Sequence, residues 1–379
     1  FLLPTMAGQT GLNLCRELSN DPEFPELGIT VWAASPASIA KAEDRLIFRN
    51  LLEQLDLPFA KSILVTNIDQ YDECLQSIGV PAIIRPSFTL GGEGSGYANT
   101  PEELKERILR GLELSPVNSV LVEESLMNWE EYELEVIRDK ENNFAMICTI
   151  ENLDPMGVHT GDSITVAPAM TIPDHIIQYF RTSAHRIIDA VGLETGGCNV
   201  QYALSPDHTK IRVIEVNPRV SRSSALASKA TGYPIAKVAT LLATGKTLYE
   251  IPNDITGTTP ASFEPSLDYV ITKIPRFNHE KFRIFEGSEA GILNSSMKSV
   301  GEVMGLGRTF IESFLKALTS LEQPGFELTS VKSYSENLLV KPHPTRIMHV
   351  LHALEIGMSV DEVFQLTGIN KWFLSELQK

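Results

Sequence analysis

Apolar residues alternate with polar ones in short runs along the middle of the chain. The run from Ile211 to Arg222 begins with branched residues, which favour a β-strand. It stops at Pro218, which has no N–H to give to a neighbouring strand. Period-two alternation along this strand predicts that four side chains share one face: Ile211, Val213, Glu215 and Asn217.

A second strand from Cys198 to Leu204 precedes this one, and a short turn joins the two. If residue 205 pairs with residue 211, Gln201 lies opposite Glu215. Carboxylate and amide oxygens suit Mg²⁺, a hard cation that binds phosphates. The arginines that follow, Arg219 and Arg222, would face those phosphate oxygens. On this pattern alone, a hairpin whose polar end is merely solvated remains an equal alternative.

Other segments predict an α/β region followed by further strands and helices. Ile29 to Ala33 reads as a strand, and Ala37 to Leu55 and Pro173 to Val191 read as helices. The strand from Glu131 to Ile137 alternates glutamates with apolar residues, and exposure of its acidic face to solvent is favoured over contact with a ligand. Two short helices near the C-terminus fit an ordinary helical domain better than a helix-turn-helix DNA reader, because the chain is acidic.

A glycine-rich loop follows Arg85, with Gly91, Gly92, Gly94 and Gly96 within six residues. Glycines let backbone amides approach an anion closely. The loop lacks the Gly-Lys-Ser/Thr of a Walker A sequence, and the next helix begins later, at Thr100. A lid between two strands is therefore expected, with a plain surface loop as the alternative.

The composition of the chain argues against several classes of function. A chain of 379 residues allows two or three domains, and a net charge of −16 argues against nonspecific nucleic-acid binding. The four cysteines are far apart, which favours reduced, mostly buried thiols in a cytoplasmic protein and no zinc site. No apolar run has the length of a membrane span. Because the chain starts at Phe1 inside an apolar run, it is expected to be a fragment.

Four ordered motifs resemble the large chain of carbamoyl-phosphate synthase, an ATP-grasp enzyme. They are Lys41 to Arg45, Arg85 to Gly92, Met156 to Ser163 and Glu215 to Gly232. The resemblance covers essentially the whole chain and points to the amino-terminal half, where the family makes carboxyphosphate. It departs at Ala7, where the family usually has glycine, and around Glu93 and Ser95.

The resemblance implies the fold and its division. A truncated α/β pre-ATP-grasp domain is expected over residues 1–40, and an ATP-grasp domain over 41–320 with a lid subdomain at about 85–155. The start of an all-helical oligomerisation domain is expected over 321–379. The expected fold class is thus mixed, α/β and α+β.

The resemblance also implies the site. Metal ligation is expected from Gln201, Glu215 and Asn217, and Arg219 and Arg222 would act with Glu215 and Asn217 near the phosphoryl group. The expected cofactors are ATP and Mg²⁺ or Mn²⁺. Contacts to ATP are expected from Arg45, Arg85, Gly91, Gly92, Glu124, Leu126, Glu131, Gly157, Val158, His159, Gln201 and Glu215.

In the reaction that the resemblance implies, bicarbonate attacks the γ-phosphate of ATP to give carboxyphosphate, and ammonia then displaces phosphate to give carbamate. A second ATP is used in the carboxyl-terminal half of the same large chain. A glutamine amidotransferase small subunit would supply ammonia to an oligomer that serves arginine and pyrimidine biosynthesis, with no nucleic-acid or membrane partner. Two alternatives remain: a biotin-carboxylase-like ligase, and an ATP-binding module without chemistry.

Overall fold

The structure, a computed structural model, describes residues 1–86, 96–115, 117–194, 196–278, 291–294, 297–327 and 336–379. The chain divides into two compact units. The smaller is Pro58–Met127, and the larger combines Phe1–Leu57 with Asn128–Lys379. Among the described residues, no helix has both the length and the apolar character that crossing a lipid bilayer requires.

Helices precede, separate and follow the strands of the described chain. Short 3₁₀ turns accompany them at Pro4–Met6, Phe24–Leu27, Ile68–Gln70 and Thr160–Asp162. The α-helices are Gly8–Ser19 (α1), Pro36–Glu43 (α2), Arg45–Gln54 (α3), Tyr71–Ser77 (α4), Pro101–Leu114 (α5), Asp174–Val191 (α6), Arg222–Thr231 (α7) and Ile235–Ala243 (α8), followed by Phe310–Leu321, Glu336–Val340, Arg346–Glu355, Val360–Thr367 and Lys371–Gln378.

Two expectations for the first 57 residues are wrong. The single helix expected over Ala37 to Leu55 is broken at Asp44, whose backbone is extended. The Asp44 carboxylate accepts hydrogen bonds from the backbone N–H groups of Leu46 at 2.9 Å and Ile47 at 3.0 Å, so it caps a new helix. The strand expected from Ile29 to Ala33 is reduced to one parallel bridge, between Leu2 and Val31.

Strands form one sheet in each unit. In chain order they are Ser62–Val65 (β1), Ala82–Pro86 (β2), Gly96–Ala98 (β3), Val120–Glu124 (β4), Glu130–Arg138 (β5), Phe144–Asn152 (β6), Thr165–Ala167 (β7), Gly196–Leu204 (β8), Ile211–Asn217 (β9), Val270–Phe277 (β10) and Ser299–Gly307 (β11). The smaller sheet has the order β1-β4-β2-β3, and the larger has the order β11-β10-β7-β6-β5-β8-β9.

Helix α5 covers the sheet of the smaller unit. Leu104 and Ile108 of α5 are fully buried against Val120 and Val122 of β4. A Cβ on Gly111 would lie 2.8 Å from a methyl group of Val120, so glycine allows the helix to approach the strand closely.

Helices cover both faces of the larger sheet. Tyr132 and Tyr202 pair across β5 and β8, and Phe180 of α6 stacks on Tyr202 with ring centroids 4.2 Å apart. Because neighbouring residues of a strand face opposite sides, Glu133 and Gln201 face away from α6. Helices α7 and α8 cover that second face, where Ile235 and Val238 pack on β5 and β6.

The C-terminal helices share one hydrophobic core with the end of the larger sheet. Phe310 contacts Phe373 edge to face at 5.0 Å between ring centroids, and both are fully buried. The helix Phe310–Leu321 lies very close to β11, since a Cβ on Gly305 would lie only 2.0 Å from the carbonyl oxygen of Ser313. Glycine at this position therefore sets the distance between helix and strand.

Candidate functional site

The β8–β9 hairpin brings the first group of site residues together. Gln201 pairs with Glu215 and Asn199 pairs with Asn217, which confirms the expected Gln201–Glu215 pairing. The expected route to that pairing is wrong, because Leu204, not residue 205, pairs with Ile211. A register shift between Gln201 and Tyr202 adds one residue to β9 and restores the pair.

The same bulge overturns the prediction of one continuous face on β9. Val213 pairs with Tyr202, and Glu215 pairs with Gln201. Tyr202 and Gln201 are neighbours and face opposite sides of the sheet. Val213 therefore faces α6, whereas Glu215 and Asn217 face the side covered by α7.

Hydrogen bonds connect the polar end of β9 to the first helices. Asn217 Nδ2 donates to Glu215 Oε1 at 3.0 Å, and Arg219 Nη2 donates to Asn217 Oδ1 at 3.2 Å. Arg219 Nε also donates to Gln9 Oε1 at 3.3 Å, and Gln9 Nε2 donates to Glu43 Oε2 at 2.6 Å. Two carboxylates, two amides and an arginine thus form one chain of contacts, which orients the Arg219 guanidinium.

Arg222 is the first residue of α7 and reaches the edge strand β11. Its Nε forms an ion pair with Glu302, and its Nη1 donates to Ser299 Oγ at 3.2 Å. Its Nη2 is buried and has no hydrogen-bond partner among the described residues. Because an unsatisfied buried donor is costly, the N–H groups of Arg222 Nη2 are well suited to bind an oxyanion.

The acidic face of β5 is buried, so its predicted exposure to solvent is wrong. Glu131, Glu133 and Glu135 are only 4%, 2% and 0% exposed. The reason is their place in the fold, since β5 lies between β6 and β8 in the interior of the sheet and α7 covers this face.

Amides and hydroxyls surround these carboxyl groups. Asn199 Nδ2 donates to Glu133 Oε2 at 2.8 Å and to Glu135 Oε1 at 3.0 Å. Ser223 Oγ donates to Glu133 Oε2 at 3.0 Å, and Ser224 Oγ donates to Glu135 Oε2 at 2.8 Å. The start of α7 is thereby tied to the middle of β5, next to the strand that carries Gln201.

Burial changes the protonation of this face. Burial raises the pKa of Glu135 to about 8, although the hydrogen bond from Ser224 acts to lower this pKa. It raises the pKa of Glu131 to about 8 as well, with the charge of Glu133 acting in the same direction. Burial also raises the pKa of Glu133. Burial therefore favours the protonated form of Glu131 and Glu135.

The segment from Gly157 to His159 forms a tight turn beside the hairpin. Gly157 has a φ of 117°, and Val158 is buried against Phe277 and Leu293. The His159 ring accepts a hydrogen bond at Nδ1 from the N–H of Gly161 at 2.9 Å. Burial lowers the pKa of His159, while the carboxylates of Asp162 and Glu215 oppose this shift. His159 thus lies within the field of the Glu215 carboxylate.

The remaining expected nucleotide contacts lie elsewhere. In the smaller unit, Arg85 Nε lies 2.6 Å from Glu123 Oε2, Glu124 Oε2 accepts from the N–H of Lys61 at 3.1 Å, and Leu126 is buried. Arg45 begins α3 in the larger unit and is exposed. The expected contacts Gly91 and Gly92 lie outside the described residues.

Two family models match the sequence. The model described as carbamoyl-phosphate synthase L chain, ATP binding domain, matches residues 44–251, more than half of the chain. The model described as carbamoyl-phosphate synthetase large chain, oligomerisation domain, matches residues 302–379. The chain belongs to the carbamoyl-phosphate synthase large chain family.

Curated relatives agree with this assignment. The carbamoyl phosphate synthase large chain of Thermotoga sp. (strain RQ2) is 54% identical over 380 residues, which span 100% of this chain and 34% of the relative. The carbamoyl phosphate synthase large chain, N-terminal section, of Aquifex aeolicus is 50% identical over 384 residues, spanning 100% of this chain and 68% of the relative. The chain thus spans about a third of the length of the first of these relatives.

A solved structure shares the fold. The biotin carboxylase domain of the 2-oxoglutarate carboxylase from Hydrogenobacter thermophilus, solved with ADP, magnesium and bicarbonate, aligns with a TM-score of 0.63 at 13% identity over 97% of this chain and 81% of that chain. This likeness confirms the expected mixed α/β, ATP-grasp fold class with helices at the C-terminus.

Sequence reasoning missed several residues around the synthase motifs. Asn199, Ser223 and Ser224 bind the buried glutamates, and Lys273 of β10 reaches the turn after His159. Asn199 was detectable in principle, because it alternates with Gln201 along β8. Lys273 carries no such signal, since its contacts are with main-chain carbonyls far away in sequence.

Cys15, Cys74, Cys148 and Cys198 are all buried free thiols, as expected from their separation. Within the described part of the chain, His, Cys, Asp and Glu form no group of three or more that could hold a metal ion.

Proposed function

We propose that this chain performs the first half of the carbamoyl-phosphate synthase reaction. ATP phosphorylates bicarbonate to carboxyphosphate, and ammonia then displaces phosphate to give carbamate. The observation that carries the proposal is the polar end of the β8–β9 hairpin. There Gln201, Glu215 and Asn217 share one face and Arg219 binds Asn217, within the segment that matches the family's ATP-binding domain.

Gln201, Glu215 and Asn217 fit a hard divalent cation, Mg²⁺ or Mn²⁺, because all three offer oxygen ligands. Gln201 is only 9% exposed, and its amide lies on the same face of the hairpin as the Glu215 carboxylate. Glu215 supplies the single carboxylate of the set. A bound cation would neutralise negative charge on the phosphate oxygens.

The arginines would supply the remaining positive charge. Phosphoryl transfer depends mainly on positioning and on electrostatic stabilisation. Arg219, oriented by Asn217 and Gln9, and Arg222, with its unpartnered Nη2, would bind bicarbonate or the transferred phosphoryl group. Glu131, Gly157, Val158 and His159 of the larger unit would contact the nucleotide, as would Arg45.

The rest of the assignment is also a proposal. Arg85, Gly91, Gly92, Glu124 and Leu126 would contribute nucleotide contacts from a lid at about 85–155, inside an ATP-grasp domain over 41–320. Residues 1–40 would belong to a preceding α/β domain, and 321–379 to the oligomerisation domain. The carboxyl-terminal half of the large chain would use the second ATP. A glutamine amidotransferase subunit would supply ammonia to this oligomer in the cytoplasm.

The test measures ATP hydrolysis by the intact protein with Mg²⁺, with and without bicarbonate. Bicarbonate should stimulate ADP release, and ammonia should increase it further. Because the carboxyl-terminal half has its own proposed ATP use, the same assay is run on Glu215→Gln, which alters only this site. Bicarbonate-dependent turnover that persists in that variant would assign the chemistry elsewhere. Stimulation by free biotin instead of ammonia would favour a biotin-dependent carboxylase.

A further inference from the structure

Lys273 is a buried lysine with an unusual set of partners. It lies on β10 opposite Thr165, and it is only 5% exposed. Its Nζ donates to three main-chain carbonyl oxygens of one turn: Ser163 at 2.6 Å, Thr160 at 3.1 Å and Gly161 at 3.5 Å. An ammonium group has three donors, and here all three go to this turn.

The charge of Lys273 is not neutralised by direct contact. No carboxylate forms an ion pair with it in the part of the chain that the structure describes. Burial lowers the pKa of Lys273 to about 8, and the charge of Glu133 opposes that shift. Burying a cation costs free energy unless its donors are satisfied, so the three carbonyls must remain in place while the lysine is charged.

The turn that Lys273 holds carries His159. The N–H of Gly161 donates to His159 Nδ1, and Asp162 accepts from the N–H groups of Lys298 and Ser299, both at 2.8 Å. A displacement of the Gly161 peptide would therefore turn the His159 ring, and would move the adjacent Gly157 and Val158 with it.

The same turn is connected to Arg222. Ser299 Oγ donates to the Gly161 carbonyl at 2.9 Å, and Arg222 Nη1 donates to Ser299 Oγ at 3.2 Å. The Gly161 carbonyl oxygen thus accepts hydrogen bonds from both Lys273 and Ser299. One peptide group joins the segment proposed to contact the nucleotide to the arginine proposed to bind the phosphoryl group.

We infer that Lys273 is a positioning residue, which holds the turn from His159 to Ser163 at a fixed distance from Arg222. This inference rests on the proposed function, because it takes Gly157 to His159 as nucleotide contacts. Lys273 acts through the carbonyls that it binds.

The inference predicts a pH dependence of nucleotide binding. Deprotonation removes one of the three donors and the positive charge, so the turn should loosen as the pH rises through about 8. The titratable and charged groups that face Lys273 are Glu133 of β5, Glu302 of β11, Arg222 of α7, and His159 and Asp162 of the turn. Lys273→Arg stays charged at all these pH values and should reduce this dependence, although Glu131, with a pKa of about 8, also titrates in this range.

The experiment measures the dissociation constant of Mg²⁺-ATP by calorimetry between pH 7 and pH 9, on the intact protein. Lys273→Met should bind about tenfold more weakly at pH 7, the effect of losing one charge-assisted hydrogen bond. Lys273→Arg should recover most of that affinity and should show a flatter pH profile than wild type. Lys237→Met, which removes an exposed lysine paired with Asp254 on the surface, is the matched control.

Four outcomes decide the matter. Wild-type affinity from a folded Lys273→Met protein overturns the inference, and so does a pH profile of Lys273→Arg equal to that of wild type. If Lys273→Met does not fold, Ser299→Ala is measured in its place, because that variant removes the hydroxyl between Arg222 and Gly161. An affinity of Ser299→Ala for Mg²⁺-ATP equal to that of wild type would also overturn the inference. A wild-type protein that fails to bind Mg²⁺-ATP overturns the proposed function itself.

Discussion

Gln201 lies opposite Glu215 because β9 contains one residue more than a regular ladder would allow. Continued from the Leu204–Ile211 pair without a bulge, the ladder would pair Gln201 with Ile214 and would turn Glu215 toward α6. The extra residue instead places Glu215 on the same side as Asn217 and the buried glutamates of β5. Bulges often serve to re-aim a side chain beside an active site, and this one does so for the single carboxylate of the proposed metal set.

Replacing that carboxylate is the most direct test of its role. Glu215→Gln keeps the size of the side chain and the contact with Asn217 but removes the negative charge. We expect bicarbonate-dependent ATP turnover to fall by at least about a hundredfold, the scale of losing one electrostatic stabiliser. Glu141→Gln, on an exposed turn, is the control. Near-normal turnover at ordinary Mg²⁺ concentration would remove Glu215 from the site.

The role of Arg85 is tested by nucleotide binding. Arg85→Lys keeps the charge but loses the planar fork that binds two phosphate oxygens at once, so Mg²⁺-ATP should bind more weakly in calorimetry. Arg85→Ala should weaken binding further. Arg110→Lys, exposed on α5 of the same unit, serves as the control. Wild-type affinity in both Arg85 variants would mean that its contact with Glu123 is merely structural.

The buried carboxyl of Glu135 predicts how stability depends on pH. Its pKa is about 8 in the folded protein against an ordinary value of 4.5, so the folded state holds a proton that the unfolded state releases. The stabilisation from this proton is complete below pH 4.5 and is lost as the pH rises through 8. Between these values the free energy of unfolding should fall less steeply for Glu135→Gln than for wild type.

Urea unfolding at several pH values measures this slope. Glu131, with a pKa of about 8, contributes in the same direction, so the double variant Glu131→Gln/Glu135→Gln should be flatter still. An unchanged slope in the double variant would show that these carboxyls are ionised in the folded state.

The contact between β11 and the helix Phe310–Leu321 predicts a steric effect. Gly305→Ala would bring a methyl group within 2.0 Å of the Ser313 carbonyl oxygen, and relief requires the helix to move. We expect a loss of about 1–3 kcal/mol in the free energy of unfolding, the usual cost of overpacking. Gly301→Ala on the same strand meets no atom within 4 Å and should change stability by less than about 0.5 kcal/mol. Equal effects of the two variants would contradict the close packing.

Local patterns predicted much of this fold. The helix over 173–191, the strands β5, β6, β8 and β9 and the helices around Gly232 follow from periodicity and from turn residues. The break at Asp44 was harder to predict, since a capping aspartate competes with a nearly continuous apolar pattern. The bulge at Ile214 was not predictable, because a one-residue insertion leaves no mark in hydropathy.

The residues of the site also differ in how far the sequence predicts them. Gln201, Glu215 and Asn217 could be grouped from one hairpin because their spacing is local. The burial of Glu131, Glu133 and Glu135 could not be predicted, because alternation separates two faces of a strand without saying which neighbours cover each one. That depends on α7 and β8, which come more than 60 residues later. The role of Lys273 could not be predicted for the same reason, because its contacts are with residues far away in the sequence.

The covered row of glutamates predicts that folding takes up protons, because burial raises the pKa of these carboxyl groups. Carboxyl groups that are ionised in the unfolded chain at neutral pH must take up protons from the surrounding buffer as they leave water. The heat measured on refolding therefore includes the heat of ionisation of the buffer. A calorimetric enthalpy for this protein near pH 7 should differ between phosphate and Tris, and the difference counts the protons that the interior of the sheet binds.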